Sequence, residues 1–342
     1  IYTLSLHDAL PICVSRLEQL HHGGVVPERG IRWCRDLSHV RDFISKHLDV
    51  KVSVGSSRSQ TRGEPVCAAA LPPPGRCCRS CSIQTMPTAT PDSDRFLSDG
   101  ERMIIGHRGL SSLAPENTLA AFRSAVDHQV GWVEADVDVI ADGTVIICHD
   151  STLDRTTNRT GRYDDLSITD LAGVDAGSWF SCRFAGEPLP TLRDLIDLMN
   201  ETGLNANIEI KPNKTGKETT LRLIDAVITD LERLRPGARV IVSSFNHLLL
   251  HLFKQRAPKM PVGCLYNSLT LCEDWRTTLE IVGADYIHPE DSGLTREQVQ
   301  AFRAAGYGVN VWTVNSLSRA NELFNWGATG IFSDIAHQIP RR

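Results

Sequence analysis

Between residues 103 and 333, short runs rich in Val and Ile alternate with amphipathic helical runs, and this rhythm limits the fold more than any other feature of the chain. Nine runs read as strands, at 103–107, 132–139, 144–149, 206–210, 239–245, 262–266, 286–288, 309–314 and 330–333. Between most of them lie helical patterns. Leu119, Phe122 and Val126 repeat behind a cap expected at Asn117, and Leu192, Leu195, Ile196 and Met199 share one face. Leu221, Ile224, Ile228 and Leu231 follow, then Leu317, Ala320, Leu323 and Phe324. Strands separated by helices imply parallel neighbours and an α/β fold, open or closed.

The run at 144–149 breaks the rule, because Ala141-Asp142-Gly143 leaves no room for the crossover that parallel strands need. It reads as an antiparallel return from the second strand through a tight Asp-Gly turn. Removing it leaves eight strands, the number a small closed barrel needs. With Asp142 and Gly143 central in the turn, Asp136 is expected opposite His149, and directly paired residues project from one face.

Enzymatic barrels carry their chemistry at the C-terminal ends of the strands. Here those ends read Gly106-His107-Arg108-Gly109, Glu134-Ala135-Asp136, His149-Asp150 and Asn207-Ile208-Glu209-Ile210-Lys211. Alternation puts Glu134 with Asp136, and Glu209 with Lys211, on shared faces. A single Glu-x-Lys reads most simply as an ion pair on a solvated face. Three acidic side chains turned inward instead need a cation between them, and an all-oxygen donor set favours Mg²⁺ or Ca²⁺ over zinc. His107 and His149 suit general acid and base work, while Arg108 and Lys211 suit binding of phosphate oxygens. A metal, two imidazoles and two cations describe phosphate-ester chemistry.

At these residues the sequence resembles the glycerophosphodiester phosphodiesterase family, and through Asp175-Ala176-Gly177-Ser178-Trp179-Phe180 and Gly186-Glu187-Pro188-Leu189-Pro190 it resembles the short cytoplasmic bacterial members. The likeness rests on Gly106-His107-Arg108-Gly109, Ala114-Pro115-Glu116-Asn117-Thr118, Glu134-Ala135-Asp136, His149-Asp150 with Leu153-Asp154-Arg155-Thr156-Thr157, Asn207–Pro212 and Val311-Trp312-Thr313-Val314-Asn315, in that order. The resemblance implies a distorted (β/α)8 TIM-type barrel with a hairpin insertion after the second strand. It implies hydrolysis of small glycerophosphodiesters to sn-glycerol 3-phosphate and an alcohol. Carried over by position, Glu134, Asp136 and Glu209 hold a divalent metal, His107 and His149 are the catalytic pair, and Arg108, Lys211 and Trp312 bind substrate. Two rival readings are a phospholipase-type phosphodiesterase acting on intact lipids and a catalytically silent barrel.

Residues 99–342 form the expected barrel domain, with 24 Lys and Arg against 32 Asp and Glu. That acidic balance excludes a nucleic-acid partner, which needs clustered positive charge. No apolar run is long enough for membrane insertion. The first 98 residues keep no strand or helix period, match no part of the family, and precede or surround Met86, the first methionine. They are expected to be a disordered or poorly ordered extension, read upstream of a true start, in which 2–12 resembles a translated sequencing adapter. Only Cys78-Arg79-Ser80-Cys81 gives a CxxC, with no second pair to complete a zinc site. With no charged leader before the opening apolar stretch, the reading is a cytoplasmic protein with free thiols. The segment 150–189, which lacks a period, is expected to cap the mouth and set headgroup preference.

Overall fold

The computed structural model describes residues 102–340, apart from Thr215. The expected N-terminal extension and its CxxC lie outside the described residues. The elements, in chain order, are β1 (Met103–Gly106), α1 (Leu119–Asp127), β2 (Trp132–Val139), β3 (Val145–Ile147), α2 (Leu192–Thr202) and β4 (Asn205–Ile210). They continue as α3 (Lys217–Leu231), β5 (Val240–Ser244), α4 (His247–Arg256), β6 (Val262–Tyr266), α5 (Trp275–Val282) and β7 (Tyr286–Pro289). The last are α6 (Arg296–Ala304), β8 (Gly308–Val311), α7 (Leu317–Trp326) and β9 (Gly330–Ser333).

Strand order is β1-β9-β8-β7-β6-β5-β4-β2, and β1 also pairs with β2, so eight parallel strands close into a ring. The TIM-type barrel that the family resemblance implied is therefore present. Its seam joins the first strand to the last, with Met103 opposite Gly330 and Gly106 opposite Ser333. Where an eighth helix would follow β9 there is a single 3₁₀ turn, Ala336–Gln338. No helix among the described residues is long and apolar enough to cross a membrane.

The strands are buried on both faces, as parallel strands covered by helices must be. Their outward residues, such as Val133, Ala135, Ile208 and Val242, pack with Leu195, Ile224 and Leu250 of the helices. Inside the ring Met103, Ile105, Trp132, Ile241, Tyr286 and Phe332 fill the floor. His288 of β7 is wholly buried there, and a Cβ on Gly263 of β6 would lie 2.5 Å from its ring. Glycine at 263 thus makes the room that the imidazole occupies.

The hairpin β2–β3 is antiparallel, as expected, but its register differs by one residue. Val137 faces Ile147 and Val139 faces Val145. The loop has three residues rather than two: Ile140 N donates to Thr144 O at 3.0 Å, and Gly143 adopts φ +89°. A Gly in the left-handed region at the third loop position is the alternative short hairpin. Cys148, not His149, therefore continues the ladder beside Asp136, its N–H donating to Asp136 O at 2.9 Å.

The segment 150–189 is irregular, with one 3₁₀ turn at Cys182–Phe184. Leu153, Tyr163, Leu171 and Val174 bury against Ile140, Ile146 and Cys148 of the hairpin. Tyr163 Oη donates to Asp138 Oδ2 at 3.1 Å and accepts from Asn213 Nδ2 at 2.7 Å, fixing the segment to the β4–α3 loop. It covers the hairpin face that the barrel leaves bare.

Candidate active site

The parallel register of β2 and β4 sets Glu134 beside Asn207 and Asp136 beside Glu209. Two-residue alternation then turns all four side chains to one face. One oxygen from each of Glu134, Asp136 and Glu209 lies within 4.8 Å of the others. The trio expected from the sequence is thus brought together. Glu209 also pairs with Lys211 Nζ at 3.1 Å, so the simple ion pair and the acidic cluster coexist.

Three carboxylates out of water repel one another, and the strain falls unevenly. Burial, then the charges of Asp136 and Glu209, pushes Glu134 well above the usual carboxylate range. Burial and Asp136 push Glu209 up to about 7. Asp136 is equally buried, but Lys211 at 3.6 Å and Arg108 at 3.5 Å outweigh burial and hold it low. Asn117 assists, donating from Nδ2 to Asp136 Oδ2 at 2.8 Å. This corrects the expected role of Asn117: the cap of α1 is Thr118, whose Oγ1 accepts from Ala121 N, while Asn117 takes φ 57° and turns inward.

Arg108 follows β1 in a left-handed conformation, φ 56°, that aims its backbone N–H at Glu134 Oε2, 2.8 Å away. Its Nη1 donates to Glu116 Oε1 at 2.7 Å. His107, its neighbour, places Nδ1 2.8 Å from Asp334 Oδ1, and Asp334 follows β9 across the barrel seam. Burial raises the Asp334 carboxyl, but the bond to His107 and those from Asn315 and Ser111 bring it down to about 2.

His149 reaches the site by a different route from the one expected. The chain bends away from the ladder after Cys148, and His149 Nδ1 lies 2.7 Å from Asp150 Oδ1. Burial keeps His149 below the usual histidine range, despite the opposing charge of Asp136. In both pairs an ionised carboxylate can only accept, so Nδ1 carries the proton and Nε2 is left for chemistry.

His107, Arg108, Glu134, His149, Glu209, Lys211 and Trp312 line one cavity together with Asn207, Phe245, Leu265 and Phe332. Trp312 stands edge-on to Phe245, ring centres 5.5 Å apart, with its Nε1 donating to His288 O at 2.9 Å. No residue of 150–189 lines the cavity, so the expected cap contributes no wall to it. Three buried polar atoms of lining residues have no hydrogen-bond partner: Glu134 Oε1, Asn207 Oδ1 and Arg108 Nε. Buried polar atoms are ordinarily satisfied, and the two unpaired acceptors fit a bound cation, while Arg108 Nε already faces Asp136 Oδ2 at 3.5 Å.

Asp334, Asn117, Asn207 and Phe245 were not among the residues the sequence pointed to as functional. Asp334 had no local signal, since its partner is 227 positions away.

Residues 107–337 match the Glycerophosphoryl diester phosphodiesterase family. A glycerophosphodiester phosphodiesterase of Caldanaerobacter subterraneus subsp. tengcongensis is 34% identical over 232 residues, covering 68% of this chain and 93% of that protein. One from Bacillus subtilis is 28% identical, covering 76% and 94%. Among solved structures, a phosphodiesterase of Oleispira antarctica in complex with the product sn-glycerol-3-phosphate matches with a TM-score of 0.66 and 32% identity, covering 70% of this chain and 96% of that one. The carboxylate trio, the paired imidazoles and these matches agree: the chain belongs to the glycerophosphoryl diester phosphodiesterase family and is a phosphoric diester hydrolase.

Proposed function

We propose that the protein hydrolyses small glycerophosphodiesters to sn-glycerol 3-phosphate and a free alcohol, with Glu134, Asp136 and Glu209 holding a divalent ion and His107 and His149 moving the protons. The observation that carries this reading is the convergence of three carboxylates between two imidazoles whose Nδ1 atoms are each tied to an aspartate. The Oleispira antarctica enzyme, with sn-glycerol-3-phosphate bound, supports the choice of product.

The donor set fits a hard cation. All three side chains offer oxygen, and Glu134 Oε1 is buried without a partner. Charge argues the same way. Ionised together, the trio outweighs Arg108 and Lys211 by one negative charge, which would repel a phosphodiester. Mg²⁺ or Ca²⁺, when bound, would reverse that sign and supply Lewis-acid stabilisation of the phosphoryl oxygens.

Arg108 and Lys211 grip the same oxygens as negative charge builds on them. One imidazole takes the proton from the attacking oxygen as the new P–O bond forms, and the other, protonated, gives a proton to the departing alkoxide oxygen as the old P–O bond breaks. His149, held below the usual histidine range by burial, suits the accepting role. Trp312, braced by Phe245, packs on the glycerol carbons. The catalytic unit is residues 99–342, acting in the cytoplasm on a small soluble substrate.

Release of sn-glycerol 3-phosphate from glycerophosphocholine tests the reading. Activity is expected to vanish in EDTA and return with Mg²⁺ or Ca²⁺. Undiminished cleavage by chelator-treated protein would overturn the metal assignment.

A further inference from the structure

Arg155, half exposed at the root of the 150–189 segment, makes four charge-assisted hydrogen bonds with one guanidinium. Its Nε and Nη2 donate to Asp150 Oδ2 and Oδ1 at 2.7 and 3.0 Å. Its Nη1 and Nη2 donate to Glu116 Oε2 and Oε1, both at 2.8 Å. Each carboxylate then continues to a group lining the cavity. Asp150 Oδ1 holds His149 Nδ1 at 2.7 Å, and Glu116 Oε1 accepts from Arg108 Nη1 at 2.7 Å. A planar fork is the side chain that can serve two carboxylates at once, which a lysine ammonium cannot do with the same geometry.

Two anions converge on Arg155 from separate parts of the chain, Glu116 before α1 and Asp150 after β3. Without the guanidinium between them, like charges push the two side chains apart. Asp150 then loses its hold on the His149 proton, and Glu116 its hold on the Arg108 fork. Partners one step removed from the reacting groups commonly change activity by about 10- to 100-fold when lost.

We propose that Arg155 is a positioning residue for the hydrolytic reaction: by bridging Asp150 and Glu116 it fixes the tautomer of His149 and the orientation of Arg108 together. This rests on the roles given above to His149 and Arg108. A residue that only stapled a loop would alter stability, whereas Arg155 governs a proton position and a phosphate grip.

The test uses the full chain, ¹⁵N-labelled, as wild type, Arg155→Met, Arg155→Lys, Asp150→Asn and Glu116→Gln. Long-range ¹H–¹⁵N spectra read the tautomer of His149, and steady-state kinetics read kcat and KM. Wild type is expected to carry the His149 proton on Nδ1 alone. Asp150→Asn should disturb that tautomer and lower kcat with KM unchanged, and Glu116→Gln should raise KM with the tautomer intact. Arg155→Met should do both, with kcat down about 10- to 100-fold and melting close to wild type. Arg155→Lys should recover one effect at most. An Arg155→Met spectrum that superimposes on wild type at His149, or wild-type kcat and KM in that variant, would overturn the proposal. Full activity in His149→Ala would instead sink the assigned mechanism, while leaving the tautomer measurement standing.

Discussion

The two histidines reach the same chemical posture from opposite directions. His107 directly follows a barrel strand and leans on Asp334, 227 positions later, delivered by the pairing of the first strand with the last. His149 has left its ladder and leans on the next residue, which Arg155 holds. The first aspartate is served by Ser111 and Asn315, neutral groups, and the second by a cation. An Nδ1–H bond can therefore be secured by closing a ring or by clamping a neighbour. The ring ties the histidine to the stability of the whole barrel; the clamp ties it only to a local network.

The sharpest way to break this comparison is to remove each imidazole. His107→Ala and His149→Ala are both expected to lose on the order of 10²–10⁴-fold in kcat, with far-UV circular dichroism unchanged. Near-normal turnover in either variant would mean that the two sides are not a working pair.

The next effect is on stability in acid and belongs to the ring. His288 packs on Phe332 of β9, and burial lowers its pKa from 6.5 to about 3. Between those values the unfolded chain binds a proton that the folded chain refuses. Stability from this group is therefore complete above pH 6.5 and falls as pH drops toward 3, by about 1.4 kcal/mol per unit. Denaturant unfolding of His288→Leu at pH 6 and pH 4 should show a flatter decline than wild type. Parallel declines would remove His288 as the source.

Smaller effects separate the two aspartates. Asp334→Asn and Asp150→Asn should each cost about 10- to 100-fold in kcat. Only Asp334→Asn should also lower the melting temperature, because its carboxylate holds Ser111 and Asn315 beside the seam. A larger drop for Asp150→Asn would invert the comparison. Last, Tyr163→Phe should cost about 1 kcal/mol of stability, since its hydroxyl joins Asp138 and Asn213. Because the cavity has no wall from 150–189, KM for glycerophosphocholine should not move in that variant.

The pattern of apolar residues made the strands legible, and 132–139, 262–266 and 330–333 coincide with β2, β6 and β9. Alternation within β2 and β4 made the carboxylate trio legible, because a shared face follows from a two-residue period. Spacing failed wherever a loop conformation decided the outcome. Asp-Gly suggested a two-residue turn, but Gly143 takes the left-handed position of a three-residue loop and moves the register by one. Asn117 had the composition of a helix cap, yet its own left-handed backbone turns it toward Asp136. Asp334 was beyond reach for another reason: its neighbour is set by closure of the ring, which no local spacing encodes.

That seam also has a consequence in time. Strand β9 and Asp334 are the last parts of the barrel to be synthesised, long after the acidic trio has been made. A growing polypeptide therefore carries Glu134, Asp136 and Glu209 well before His107 acquires the carboxylate that it bonds. The ring cannot close, and His107 cannot meet its partner, until the chain beyond residue 330 has been made.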